Sequence, residues 1–154
     1  MDTKRLSRTI LIYRVVQGLL IALLAFVAFN FQMNFVQMGR GDMFISSAIA
    51  AVVIQLILLY PVYKLASRDV GITLEGSNPD LSPEQLAALR KKRLMGELLK
   101  VSGFIFFITF AALVPDAKKF AAAPLIFAVI IFSFILTCLM YFQCFNYCLK
   151  RQMK

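Results

Sequence analysis

Residues Phe120–Leu149 read FAAAPLIFAVIIFSFILTCLMYFQCFNYCL, thirty consecutive residues without a charged side chain. A membrane-spanning helix needs roughly 20 apolar residues, because the hydrocarbon core is about 30 Å thick and each residue rises about 1.5 Å. Pro124 lies near the start of the stretch, where the first helical turn has no internal acceptor for its missing N–H. The stretch therefore predicts a transmembrane helix.

Three more uncharged runs precede this stretch along the chain. They are Val15–Gly39, Met43–Tyr63 and the shorter Val101–Pro115. With short extensions at their ends, the four runs predict membrane spans at 10–31, 43–64, 96–114 and 122–148. The chain is therefore predicted to be all-α, an integral membrane four-helix bundle that forms a single transmembrane domain over residues 1–154.

The composition of the chain supports the same class. Of the 154 residues, 60% are hydrophobic and 16% are charged, against about 45–50% apolar and about 25% charged residues in soluble domains. A water-soluble globule would have too few charges to cover this much apolar surface. The three cysteines are an odd number and include no CxxC pair, which excludes a secreted disulfide framework.

The third span is predicted to be the second half of a longer helix. Upstream of it, Leu81-Ser82-Pro83-Glu84-Gln85 has the features of a helix start: Ser82 as N-cap, Pro83 at the first position and Gln85 at the capping-box position. We therefore expect one helix over Pro83–Val114 that extends into the cytoplasm. Within it Glu97 and Lys100, three residues apart, are expected either to pair at the interface or to extend separately to the headgroups.

The orientation of the bundle is predicted from the distribution of positive charge. Of the 17 Lys and Arg residues, 14 flank one side of the predicted spans and three flank the other. The positive-inside rule places the richer side in the cytoplasm. Both termini and the connection 65–95 are thus predicted to be cytoplasmic (N-in/C-in), with 32–42 and 115–120 outside. Within the cytoplasmic connection, residues 67–82 contain Gly, Asn and Pro and are predicted to be rich in turns.

Membrane topology accounts for the net charge of +9, because most of the Lys and Arg residues flank the spans on one side. They lie in short blocks between long uncharged runs, so no nucleic-acid partner is predicted. The expected location is a multi-pass position in the plasma membrane, or in the inner membrane of a bacterium.

The residues that usually carry catalysis are scarce. The sequence has no His, no P-loop, no GxGxxG or GxSxG motif and no metal-spaced cysteine set. No acidic residue lies in the middle of a predicted span, where proton-coupled and cation-coupled transport usually needs one. We therefore predict no catalytic residue, no cofactor and no metal site, and we expect that the chain is not an enzyme.

Polar residues enter the spans mainly from the cytoplasmic side. This predicted inner polar layer consists of Arg14, Gln17, Gln55, Gln143 and Asn146. Gln17 and Gln55 are each about eight residues, or roughly 12 Å, inside that boundary. Two interpretations remain open: hydrogen bonding between helices, or a polar cavity in which Arg14 holds an anionic group.

Small residues recur on one face of each of the first two spans. Gly18, Ala22, Ala25 and Ala28 follow one another at spacings of four, three and three. On the second span Ser47 precedes Ala51 by four, and Ser46 precedes Ala50 by four. Such seams let transmembrane helices approach closely. They serve either packing within the bundle or contact with another copy or another membrane subunit.

A run of four cations, Arg90-Lys91-Lys92-Arg93, forms a collar around the predicted third helix near the membrane surface. It is predicted mainly to anchor the helix at the cytoplasmic surface, as the positive-inside rule describes. The alternative is specific contact with anionic lipids or an acidic partner. The nearby Leu86 and Leu89 share one face, and that face is expected to contact another protein surface or the membrane interface.

Together these features predict a small non-catalytic subunit of the membrane that presents a basic cytosolic surface. Its expected partners are the lipid bilayer, including anionic lipids, and either other membrane subunits or further copies of itself. The alternative is an oligomeric channel or small-solute permease whose pathway uses the inner polar layer.

Overall fold

A computed structural model describes residues 3–78, 81–114 and 120–152, with side chains from residue 6 onward. The chain forms four helices: α1 (Thr3–Gln37), α2 (Asp42–Glu75), α3 (Pro83–Leu113) and α4 (Ala123–Gln152). Of the described residues, 91% are helical and none is in a strand. The predicted all-α class with four helices is confirmed.

The helices are arranged around a central pair. α2 and α4 pack closely along their length, α1 packs against both of them, and α3 also packs against both. Over the described residues, the backbones of α1 and α3 do not approach each other closely. The two outer helices are therefore separated, and part of the surface of α2 and α4 lies between them.

Two apolar clusters lie at the two ends of this arrangement. The first joins Leu6 of α1 to Ala66 and Val70 of α2 and to Phe145 and Leu149 of α4. We call this end, which carries the α2–α3 connection and both chain ends, the hairpin end. The second cluster, at the opposite end, consists of Phe35, Ala51, Ala128 and Phe132.

The outer surface of the helices is strongly apolar. Each of the four helices is long and apolar enough to cross a membrane. Large side chains such as Leu56, Ile57 and Leu113 are 68%, 71% and 72% exposed. Exposed apolar surface on this scale is unfavourable in water and suits contact with lipid. By length and composition, the chain is a multi-pass membrane protein.

The start of α3 agrees with the prediction in detail. Ser82 Oγ accepts a hydrogen bond from the Gln85 backbone N–H at 3.3 Å. In return, the Ser82 backbone N–H donates to Gln85 Oε1 at 3.0 Å. This reciprocal capping box satisfies two backbone groups that a helix start leaves unpaired, and Pro83 occupies the first helical position.

The end of α2 differs from the prediction. Residues 67–75, expected to be part of a turn-rich segment, are helical, because α2 continues to Glu75. Its buried residues Val62, Ala66 and Val70 are spaced four apart and keep one helix face packed to this point. Residues 1–2, 79–80, 115–119 and 153–154 lie outside the described residues, and with them most of the predicted connection 115–120.

Candidate functional site

An ion cluster joins three helices near the hairpin end, and we call it the Asp69 cluster. Its members are Asp69 of α2, Glu97 and Lys100 of α3 and Tyr141 of α4. Lys100 Nζ lies 3.1 Å from Asp69 Oδ2 and 2.9 Å from Glu97 Oε1. The Tyr141 hydroxyl donates to Asp69 Oδ2 at 2.5 Å. The predicted pairing of Glu97 with Lys100 is confirmed, whereas the sequence analysis does not predict a role for Asp69.

Burial makes Asp69 the most demanding member of the cluster. Its side chain is 11% exposed, against 30% for Lys100 and 55% for Glu97. A carboxylate with so little access to water is unfavourable unless a cation and hydrogen-bond donors surround it. Lys100 and the Tyr141 hydroxyl supply both, and Lys100 Nζ also lies 5.3 Å from the centroid of the Tyr141 ring. The cluster therefore holds α2, α3 and α4 together through one compensated charge.

Gly96 allows α3 to approach this carboxylate. A Cβ built at Gly96 would lie 3.0 Å from Asp69 Oδ1, tighter than almost all real Cβ contacts. A Cβ at Gly103, one turn beyond Lys100 on the same helix, would meet nothing within 4 Å. Of the two glycines of α3, only Gly96 lies where a side chain would crowd Asp69.

The sequence pattern does not predict a structural role for Asp69, because the uncharged run that predicts the second span ends at Tyr63. Asp69 therefore falls in the predicted connection and not in a packed helix. The signal that finds it is the apolar spacing of Val62, Ala66, Val70 and Leu74, which continues at intervals of four through the charged segment. Asp69 lies inside this pattern and therefore belongs to a helix.

A groove with a volume of about 380 Å³ lies beside the Asp69 cluster. α1 and α3 form its two walls, since both pack on the central pair while their backbones stay apart in the described part of the chain. Apolar lining comes from Leu6, Leu86 and Phe145, among others. The residues with charged or hydroxyl-bearing side chains in the lining are Thr9, Tyr13, Asp69, Thr73, Ser77, Arg90, Arg93, Glu97, Lys100 and Tyr141.

The predicted cation collar is divided by this groove. Arg90 and Arg93, three residues apart on α3, both line it. Lys92 lies elsewhere, and its Nζ is 3.7 Å from Glu75 Oε2 in an exposed pair. Lys91 is exposed and does not line the groove. The four consecutive cations therefore have two different surroundings.

The two leucines on the predicted contact face also differ. Leu89 is 9% exposed, because α3 folds against α2 at this point, whereas Leu86 is 41% exposed. Both line the groove. This chain itself thus covers much of the apolar face that was expected to contact a partner or the membrane interface.

Three of the five residues of the predicted inner polar layer lie together. Gln17 Nε2 of α1 donates to Gln143 Oε1 of α4 at 3.0 Å. Asn146 Nδ2 of α4 donates to Gln17 Oε1 at 3.1 Å. The amide of Gln17 therefore uses both its donor and its acceptor to join α1 to α4.

Gln55 takes part in a separate contact. Its Nε2 donates to the Ser133 carbonyl oxygen at 3.0 Å and to Thr137 Oγ1 at 3.1 Å. Thr137 precedes Gln143 by six residues on α4, which is about 9 Å along the helix axis. The amides of Gln17 and Gln55 thus lie at two levels of the bundle. Arg14 is exposed and has no ion pair with any described residue.

These polar side chains mostly satisfy one another across helix contacts. Among the described residues, two buried side-chain oxygens have no hydrogen-bond partner, Ser133 Oγ and Asn146 Oδ1. In the same part of the chain, no group of three or more His, Cys, Asp or Glu residues is placed to hold a metal ion. The arrangement is chemically suited to joining helices and, in the groove, to binding a charged group.

Comparison with known proteins identifies no relative of this chain. No protein-family model matches the chain, and neither a curated protein nor a solved structure matches it. The functional interpretation therefore depends on the geometry of this chain itself.

Proposed function

We propose that this chain is a small, non-catalytic membrane subunit that assembles with copies of itself or with a larger membrane complex. The observation that supports the proposal is the direction of the small-residue seam on α1. Gly18, Ala22 and Ala25 are all exposed, and a Cβ at Gly18 would meet nothing within 4 Å. The fourth member, Ala28, packs against the second apolar cluster, so the bundle covers one end of the seam and leaves the other three residues open.

The corresponding seam on α2 is used inside the bundle. Ser47 and Ala51 are both fully buried, and Ala51 packs in one cluster with Ala128 and Phe132 of α4. Lipid offers no hydrophobic driving force between helices, so close backbone approach at small residues is a principal source of helix association in membranes. The exposed seam of α1 is thus suited to a second helix from outside this chain.

The orientation proposed for the subunit is N-in/C-in. The described parts of both chain ends lie at the hairpin end, where Leu6 packs with Cys148 and Leu149. This end also carries most of the Lys and Arg residues, and the positive-inside rule favours it for the cytoplasm. In this orientation α3 extends towards the cytoplasm, and the subunit presents a basic surface to the cytosol and to anionic lipids.

The pairing of polar groups favours a subunit over an enzyme or a channel. Lys100 is paired with both Asp69 and Glu97, and the Gln17 amide is joined to Gln143 and Asn146. Groups paired in this way stabilise helix contacts at little cost. A pathway would need polar groups left open to solute, so we expect no solute flux from the reconstituted protein alone.

Assembly is tested by placing larger side chains on the small-residue face of α1. Replacement of Ala22 and Ala25 together by Leu should separate α1 from its neighbour, and the mass of the complex in mild detergent, measured by light scattering, should fall. Leu23→Phe is the matched control, because residue 23 lies about 100° around the helix from residue 22. Identification of the co-purified proteins separates a homo-oligomer from a larger complex. An unchanged mass in the double variant, or a monomer without partners in the parent protein, would refute the proposal.

Orientation is tested separately by labelling. A cysteine at Asn78, which is exposed at the hairpin end, should resist a membrane-impermeant thiol reagent in intact cells. A cysteine at Gln37, exposed at the other end of α1, should react. The parent protein, with its three native cysteines, provides the background. The reverse labelling pattern would contradict the N-in/C-in orientation.

A further inference from the structure

We propose that the groove between α1 and α3 binds an anionic glycerophospholipid from the surrounding leaflet. Arg90 and Arg93 hold its phosphate, and its acyl chains run along the gap between the two outer helices. The proposal is independent of the assembly through α1, because the groove is formed entirely within one chain.

The first argument is the spare positive charge of the groove. Lys100 is occupied by Asp69 and Glu97, at 3.1 and 2.9 Å. Arg90 and Arg93 line the same groove, and no ion pair engages either of them among residues 3–78, 81–114 and 120–152. Two guanidinium groups one helical turn apart match a phosphate, because each presents a planar fork of N–H donors.

The second argument is that the acids of the groove do not repel such a ligand strongly. Asp69 is 11% exposed and is bonded to Lys100 and to the Tyr141 hydroxyl. Glu97 is the more exposed acid, but it also bonds Lys100. Glu97 is a neighbour of Arg93 on α3 but lies seven residues, about 10 Å, from Arg90, so the phosphate would lie towards Arg90.

The third argument is the direction in which the groove continues. From Arg93, α3 runs through Lys100 into the uncharged stretch that begins at Val101. Val101 and Phe104 there are 52% and 50% exposed. The backbones of α1 and α3 do not approach each other closely anywhere along the described residues, which leaves room between the two helices in the direction of the hydrocarbon. A ligand with a charged head and apolar chains would contact both the two arginines and the apolar stretch beyond Lys100, whereas a free anion would contact only the arginines.

The size of the groove also suits a lipid head. A volume of about 380 Å³ lies within the range of about 300–1,000 Å³ typical of small-molecule sites. Tyr13 and Ser77 are among its lining residues. The Tyr13 hydroxyl can hydrogen-bond a polyol headgroup, and Ser77 Oγ, which donates to the Leu74 carbonyl at 2.7 Å, can still accept. We therefore take phosphatidylglycerol as the probe.

The experiment measures lipid binding by native mass spectrometry of the full chain in detergent. Phosphatidylglycerol should bind with one tight site per chain, and phosphatidylcholine should bind at least about tenfold more weakly. In the Arg90→Gln/Arg93→Gln variant, the affinity for phosphatidylglycerol should fall by about thirtyfold, which is about 1 kcal/mol for each arginine. Glycerol phosphate, which lacks acyl chains, should not displace the lipid at matched concentration.

The control has the same change in net charge. Lys91→Gln/Lys92→Gln removes the two cations of the collar that lie outside the groove and should lower the affinity by less than about threefold. All four positions are exposed, so neither variant disturbs the packed interior, and thermal unfolding curves verify this. If both variants lost the same affinity for phosphatidylglycerol, the collar would attract the lipid only through its net charge, and the proposal would be overturned. Equal binding of phosphatidylcholine would also overturn it, as would displacement by glycerol phosphate, which would indicate a site for a soluble anion.

Discussion

The two ends of the bundle are held together by different interactions. At the hairpin end, α3 joins the central pair through the Asp69 cluster, in which Lys100 lies 3.1 Å from a carboxylate that is only 11% exposed. At the opposite end, aromatic packing dominates. Phe132 of α4 is 5% exposed, and its ring centroid lies 5.5 Å from that of Phe31 and 6.1 Å from that of Phe44.

The difference shows that charge pairing and apolar packing are divided between the two ends of the bundle. Where lipid surrounds them, helices gain from shape and dispersion, because lipid is as apolar as their own side chains. A buried charge, by contrast, is tolerated only with its partner in place. We therefore expect the hairpin end to be sensitive to single charge removal and the opposite end to be sensitive to lost volume.

The largest effect is expected for Lys100→Met. The substitution keeps the apolar stem but leaves Asp69 without a cation. The free energy of unfolding should fall by about 3 kcal/mol, the lower end of the range for breaking a buried pair, because the Lys100 side chain is 30% exposed. Unfolding in detergent followed by circular dichroism measures the change. Lys92→Met, which removes an ion pair whose side chains are 58% and 57% exposed, is the control and should cost less than about 0.5 kcal/mol.

The next effect tests the opposite end. Phe132→Ala removes a ring that contacts Phe31 and Phe44 and leaves a cavity. We expect a loss of about 2 kcal/mol, below the 3–5 kcal/mol of soluble cores, because burial from lipid gives no hydrophobic transfer term. The same unfolding assay applies. A loss smaller than that of Lys92→Met would show that aromatic packing does not hold this end.

A smaller effect is expected for Gly96→Ala. The new methyl group would lie 3.0 Å from Asp69 Oδ1 and should displace the carboxylate from Lys100, at a cost of about 1–2 kcal/mol. Gly103→Ala is the matched control on the same helix, because a Cβ there meets nothing within 4 Å. It should be neutral or stabilising by up to about 1 kcal/mol through helix propensity. Equal effects of both substitutions would remove the special role given to Gly96.

The smallest effect is expected for Gln55→Leu. Loss of its hydrogen bonds to the Ser133 carbonyl and the Thr137 hydroxyl should cost about 0.6 kcal/mol, the average for side-chain hydrogen bonds between transmembrane helices. Thermal stability in detergent measures it. If stability stayed unchanged and a solute flux of the reconstituted protein disappeared, the channel interpretation would take precedence.

Much of the fold is predictable because its signals are local. The four uncharged runs predict four helices, and Ser82, Pro83 and Gln85 predict the start of α3, since capping depends only on residues a few positions apart. The same local reasoning was wrong for residues 67–75. Gly71 suggested a turn there, but packing of Ala66 and Val70 against the hairpin end keeps α2 helical.

The candidate site is less predictable because its contacts join distant parts of the sequence. The equal depth estimated for Gln17 and Gln55 assumed that every helix crosses the membrane in the same way. In the structure they contact α4 at Gln143 and Thr137 respectively, at levels set by how each helix packs. The helical position of Asp69 follows from local apolar spacing, but its pairing does not, because its partners Lys100 and Tyr141 are 31 and 72 residues away along the chain.

The most direct test of this account is a double-mutant cycle between Asp69 and Lys100. Asp69→Asn and Lys100→Met are made singly and together, and the free energy of unfolding is measured for all four proteins in the same detergent. We predict that each single variant is less stable than the double variant, with a coupling energy of about 2 kcal/mol or more. Additive losses, with a coupling energy near zero, would contradict the claim that this charge pair holds the hairpin end together.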